Sequence, residues 1–162
     1  MKAITLLNFK IILLGLTTFA LLYPLAAMAQ ITGSNYSYFG VNGNIGFTDD
    51  DNTSIEDFGI LVNTKIPITG NLSLRPAVIF ADDTSYLIPV TFNFSFSQTQ
   101  PLVPFVGGGV VFGPKDGLLL SSGVEVRLGD EFVVNGGINA GFIDGKTNTG
   151  LYLGLGFIFP KD

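Results

Sequence analysis

Cysteine, histidine and tryptophan are all absent from the 162 residues. No disulfide can form, no thiolate or imidazole can hold zinc, and no Ser-His or Cys-His pair can carry nucleophilic catalysis. Charge is scarce: 13% of residues are charged, against about a quarter in an ordinary soluble domain. What charge there is leans acidic, with a net of −5, and this excludes nucleic acid, which needs a basic footprint. Long apolar runs are also lacking beyond the N-terminal segment. Yet 47% of the residues are hydrophobic, with 21 Gly and 15 Phe. Phenylalanine- and glycine-rich but tryptophan-free is an odd mixture for a water-soluble core.

The one continuous apolar run has the plan of a secretory signal peptide. Lys2 and Lys10 supply the positive start, Ile11 to Leu25 is almost wholly apolar, and Ala27-Met28-Ala29 is an A-x-A cleavage site before Gln30. Pro24 breaks the helix just ahead of the small residues. An uncleaved anchor is the competing reading, because Ile11 to Ala29 is nearly long enough to span a bilayer. The division is therefore residues 1–29 as a leader for Sec export and 30–162 as one domain. Two of the eight basic residues leave with the leader, and the net charge moves from −5 to −7.

From Tyr38 onward the chain alternates. Strand patterns are read at Tyr38–Phe47, Phe58–Ile66, Leu72–Phe80, Ser85–Phe96, Leu102–Phe112, Leu118–Leu128, Phe132–Phe142 and Leu151–Phe159. Their connections alternate too. Thr48–Asp57, Ala81–Thr84, Gly113–Gly117 and Ile143–Gly150 are acidic or glycine-rich, whereas Pro67–Asn71, Ser97–Pro101 and Gly129–Glu131 read as tight turns. No window sustains a helical period.

Each strand has one greasy face and one small polar face. In the first, Phe39, Val41, Ile45 and Phe47 oppose Gly40, Asn42, Asn44 and Gly46. In the last, Leu151, Leu153, Leu155, Phe157 and Phe159 oppose Tyr152, Gly154, Gly156 and Ile158. A soluble barrel or sandwich would turn the greasy face inward; a membrane barrel would turn it to lipid. Charge placement separates the two. Only Lys65, Arg75, Glu125 and Arg127 fall within the strands, all on the polar face. Lysine or arginine facing mid-membrane lipid costs about 2–4 kcal/mol, so these four are expected as a charge network inside a barrel. A plain strand-surface ion pair between Glu125 and Arg127 is the simpler alternative. Phenylalanine agrees: after the leader, all but Phe105 take the greasy face. Phe47, Phe58, Phe80, Tyr86, Phe112 and Phe142 lie at strand ends joined by the acidic loops, and Phe39, Phe94, Phe96, Phe132, Phe157 and Phe159 at the opposite ends. Two aromatic rings around an aliphatic waist are the girdles of a transmembrane barrel. The fold class expected is all-β: an eight-stranded antiparallel up-and-down transmembrane β-barrel after a cleavable helical signal peptide.

Local motifs point the same way. Tyr152-x-Gly154-x-x-Phe157-x-Phe159 resembles the C-terminal assembly signal of outer-membrane barrels, although Pro160-Lys161-Asp162 follow where the final aromatic is commonly last. Pro104 to Val110 resembles the Pro-aromatic-Val-Gly-small-Gly strand of small opacity-type and OmpA/OmpX-like barrels. Gly123-Val124-Glu125-Val126-Arg127-Leu128 resembles the strand that follows, with Val126 in place of an aromatic. The seventh strand lacks their Glu-Tyr-rich pattern. The resemblance implies a cell outer membrane of Gram-negative type, lipid and the barrel-assembly machinery as partners, and a monomer.

Little chemistry is left for such a chain. Barrel enzymes of the acyltransfer, deacylation and proteolysis kinds use a histidine, so no enzyme activity, catalytic residue or cofactor is expected. The acidic loop Asp49, Asp50, Asp51, Glu56 and Asp57 superficially resembles a calcium loop, but its sixth position is Ser54 where Gly is needed and its twelfth is Ile60 where Glu is needed. A solvated external loop is the plainer reading, and loose divalent-cation binding the other. Gly107-Gly108-Gly109 lacks the lysine and helix of a phosphate loop. The expected role is structural or surface-interacting: envelope integrity, adhesion or binding of an external protein or surface partner. The alternatives are a narrow or gated small-solute channel of porin-like kind, and a soluble periplasmic lipocalin-like barrel holding an apolar ligand.

Overall fold

The structure is a computed structural model that describes residues 35–48, 55, 57–69, 71–94 and 101–159. The proposed leader, 1–29, lies outside the described residues. The strands are β1 (Tyr38–Gly46), β2 (Gly59–Thr69), β3 (Leu72–Leu74), β4 (Ala77–Phe80), β5 (Thr84–Asn93), β6 (Leu102–Phe112), β7 (Gly117–Leu128), β8 (Phe132–Ile143) and β9 (Lys146–Ile158). β3 and β4 are two halves of one barrel strand, since both pair with β2 on one side and β5 on the other. They part at Arg75-Pro76, where proline has no N–H for the ladder. The ladder is patched across the gap: the Pro76 carbonyl accepts from the Thr64 amide at 3.0 Å and the Arg75 amide donates to the Pro89 carbonyl at 3.0 Å.

Every neighbouring pair is antiparallel, and β1 pairs with both β2 and β9, from Tyr38↔Ile158 to Gly46↔Gly150. The sheet therefore closes on itself as an eight-stranded barrel, with no free edge to aggregate. One end, the terminal end, carries the start of β1 and the finish of β9. The other, the loop end, carries the β1–β2, β4–β5, β6–β7 and β8–β9 connections.

The last of these differs from the sequence expectation of a long loop at Ile143–Gly150. β8 and β9 pair as far as Ile143↔Lys146, leaving a two-residue turn at Asp144-Gly145. Both residues have positive φ, 50° and 76°, the backbone that a tight hairpin twisted like its strands requires and that Asp-Gly supplies. Thr147, Asn148 and Thr149 looked like loop because they are polar; they are strand that extends past the greasy band.

The outer wall is apolar. Val41, Ile60, Ile88, Val90, Leu120, Leu153 and Leu155 are exposed around the waist, Phe47, Phe58, Phe80, Phe112 and Phe142 toward the loop end, and Phe39, Phe132, Phe157 and Phe159 toward the terminal end. Leu153 is 62% exposed and Phe58 83%. A soluble monomer does not show a continuous apolar belt of this size to water. The lipocalin-like alternative is corrected by this inversion, since its greasy face would have pointed inward.

Candidate functional site: the barrel interior

Strand alternation sends Lys65, Arg75, Glu125 and Arg127 inward, where all four are buried. Glu125 on β7 lies diametrically across from Lys65 on β2: three barrel strands separate them whichever way round the wall is followed. Long side chains from opposite walls meet near the axis. Lys65 Nζ stands 2.7 Å from Glu125 Oε2, and Arg75 Nη1 pairs with Glu125 Oε1. The Tyr36 hydroxyl donates to Glu125 Oε2 at 2.7 Å. One carboxylate thus has both oxygens engaged by donors from β2, from the break in the third barrel strand, and from the segment before β1.

Arg75 is held on every side. Its Nε donates to Thr91 Oγ1 at 2.8 Å, Nη1 to the Tyr38 hydroxyl at 3.2 Å and Nη2 to Asn93 Oδ1 at 2.6 Å. Its guanidinium lies 3.8 Å from the centre of the Phe105 ring. Lys65 Nζ similarly lies 3.9 Å from the centre of the Tyr36 ring. These aromatic faces partly replace the water that a buried cation gives up. Arg127 has further partners. It lies over the Tyr36 ring at 4.7 Å and reaches Asp130 on the terminal rim at 3.6 Å.

Next along the axis comes an asparagine layer. Asn42 Nδ2 donates to Asn63 Oδ1 at 3.0 Å, and Asn63 Nδ2 to Asn135 Oδ1 at 3.1 Å. Gly40 provides the room for this layer, because a Cβ there would run into Asn63 Oδ1. The loop-end half of the bore holds an aliphatic cluster of Ile55, Leu61, Ile79, Leu87, Val111, Leu119 and Ile143, beside the buried Asn44, Ser85 and Asn148. Here the expectation of a small, polar interior is corrected. Large aliphatic side chains share the inward face, because an eight-stranded barrel is just wide enough for side chains to fill it. The cavity among Leu61, Asn63, Arg75, Ser121, Asn139 and Tyr152 measures about 10 Å³, room for roughly one water.

The remaining sequence-predicted residues lie in β9 and in the acidic segment. In β9, Tyr152 is buried in the bore and Gly154 faces Asn42, whereas Phe157 and Phe159 point outward. Phe157 packs edge-on against Phe132 at 5.9 Å and against Phe159 at 6.5 Å. Asp49, Asp50, Asp51 and Glu56 lie outside the described residues. Asp57 is half-buried and accepts, through its carbonyl, a hydrogen bond from Asn44 Nδ2 at 2.9 Å. Sequence reasoning missed Tyr36, Tyr38, Thr91, Asn93 and Phe105 as partners of the charges. The signal was there in Phe105, the lone phenylalanine with the wrong parity for lipid.

No protein-family model matches the chain, and no curated protein matches it either. Solved structures do. A de novo designed transmembrane β-barrel superposes with a TM-score of 0.60 at 10% identity, covering 82% of this chain and 100% of the design. The N-terminal β-barrel domain of OprF from Pseudomonas aeruginosa gives 0.55 at 16% identity, covering 78% and 99%. Ail, the attachment invasion locus protein of Yersinia pestis, gives 0.51 at 11% identity, covering 76% and 97%. The fold is that of a small transmembrane β-barrel. At these identities the likeness is one of architecture alone.

Proposed function

We propose that this chain is an outer-membrane protein, exported through Sec by residues 1–29, that acts at its surface rather than through its bore. It is a monomer inserted by the barrel-assembly machinery, with β9 residues Tyr152, Gly154, Phe157 and Phe159 as the assembly signal. The loop end faces outward and carries the acidic segment, and the role is envelope integrity, adhesion or binding of an external protein, without catalysis. The observation that carries this reading is the filled interior. A cross-barrel ion cluster, an asparagine layer and an aliphatic layer follow one another along the axis, leaving about 10 Å³ in the cavity between them. Such a bore suits a rigid scaffold for loops and not a small-solute channel. The likeness in fold to Ail, an attachment invasion locus protein, supports this reading.

Planar-bilayer recording of the purified barrel is the test. The expected trace shows no resolvable unitary current. Regular stepwise conductance would refute the sealed-bore reading and favour the conduit.

A further inference from the structure

One residue of the β1–β2 connection does not belong with its neighbours. Between Phe47 and Phe58 the sequence is polar or acidic except for Ile55, yet Ile55 is fully buried in the aliphatic layer of the bore. Its seat is shaped for it by two glycines. A Cβ on Gly141 would come within 3.1 Å of Ile55 Cδ1, and one on Gly150 would collide with the Ile55 carbonyl oxygen. A side chain of β1 holds its backbone. Asn44, at the loop end of β1, uses both protons of its amide: one to the Ile55 carbonyl at 3.1 Å and one to the Asp57 carbonyl at 2.9 Å. Thr48, on the other side of the connection, is tied to β9, its hydroxyl oxygen accepting from the Thr149 amide at 3.1 Å.

From this geometry we propose that Ile55 is a latched plug for the loop-end mouth, with Asn44 as the latch. Ile55 is seated inside the barrel, and its side chain stoppers the bore. The latch contacts are to main-chain carbonyls, so they survive replacement of the Ile55 side chain. Displacing Ile55 uncovers aliphatic residues and separates Asn44 from both carbonyls. Plug opening is therefore uphill. The proposal rests on the filled-bore reading and locates its outermost element.

The absence of native cysteine makes a clean assay. Ile55→Cys is labelled with a membrane-impermeant maleimide in the full-length folded protein, using Asp116→Cys in the exposed β6–β7 connection as reference. The thiol at 55 is expected to react at least tenfold more slowly than the reference. Adding Asn44→Ala is expected to speed it roughly tenfold, the scale of losing two buried hydrogen bonds, while heat-modifiable gel migration shows the barrel still folded. Equal labelling at 55 and 116, or no acceleration by Asn44→Ala in a folded barrel, overturns the plug. Wild-type protein gives a second readout should either variant not fold: a nuclear Overhauser contact between the Ile55 δ-methyl and the Gly141 α-protons is expected, and its absence overturns the proposal. A conducting wild type with a protected thiol would sink the sealed bore and leave the plug standing; a reactive thiol in a non-conducting barrel would sink the plug alone.

Discussion

Glu125→Gln removes one negative charge and keeps the side chain's length and shape. The carboxylate is fully buried and faces Lys65 and Arg75, both buried, together with the Tyr36 hydroxyl. Breaking a buried ion pair from one side typically costs about 3–5 kcal/mol, because the orphaned charge stays out of water. Here the cost divides unevenly. Arg75 keeps Thr91, Asn93 and Tyr38 as hydrogen-bond acceptors and Phe105 beneath it. Lys65 keeps the face of Tyr36, while its side-chain hydrogen bond is to Glu125 itself. The expected loss is thus at the lower part of that range, about 3–4 kcal/mol, and Lys65 is its main source. A cycle with Lys65→Met tests this apportionment. The double variant should be less destabilised than the sum of the single ones, with a coupling of about 1–3 kcal/mol. Urea unfolding in detergent, followed by far-ultraviolet circular dichroism and gel migration, measures all four corners. A Glu125→Gln barrel within about 0.5 kcal/mol of wild type, or an additive cycle, would show that the cross-barrel pair is not holding the two walls together.

Four further substitutions probe the wall and one of its turns. Leu153→Arg puts a cation on the lipid-facing waist and should cost about 2–4 kcal/mol in bilayers; a negligible effect on folding into vesicles would mean this face meets water. Gly107→Ala should destabilise by about 1–3 kcal/mol, because its Cβ would press on the Val90 carbonyl and lie 2.6 Å from Thr91 Cα. Gly43→Ala, with nothing within 4 Å of the new methyl, is the matched control and should unfold with wild type. Gly145→Ala forces a side chain onto a φ of 76° and should lower stability by about 1–2 kcal/mol; an unchanged unfolding midpoint would mean the β8–β9 turn is not formed as described.

Much of this architecture was legible because lipid and bore impose opposite demands on successive residues. Phe39, Val41 and Ile45 against Gly40, Asn42 and Asn44 spelled out both faces of β1, and the parity of Lys65, Arg75 and Glu125 placed them inside. What parity does not carry is the partner on the far wall. That depends on which strands are diametrically opposed and how far each side chain reaches, so Arg127 was grouped with Glu125 although it turns to Asp130. The break at Pro76 was legible in principle, since proline has no amide for the ladder, but the greasy run Leu72–Phe80 hid it. Ile55 was illegible for a different reason: a single apolar residue in an acidic stretch has no period. Only the closed barrel mouth, with Gly141 and Gly150 facing it, gives that residue a place to go.

The barrel is closed and its greasy wall faces lipid. The most direct measurement dilutes urea-unfolded residues 30–162 into phospholipid vesicles and, in parallel, into lipid-free buffer, and follows β-sheet circular dichroism and gel migration with and without boiling. Sheet formation and heat-shifted migration are expected with vesicles, and aggregation without them. A monodisperse, β-folded protein in lipid-free buffer would contradict a lipid-facing wall.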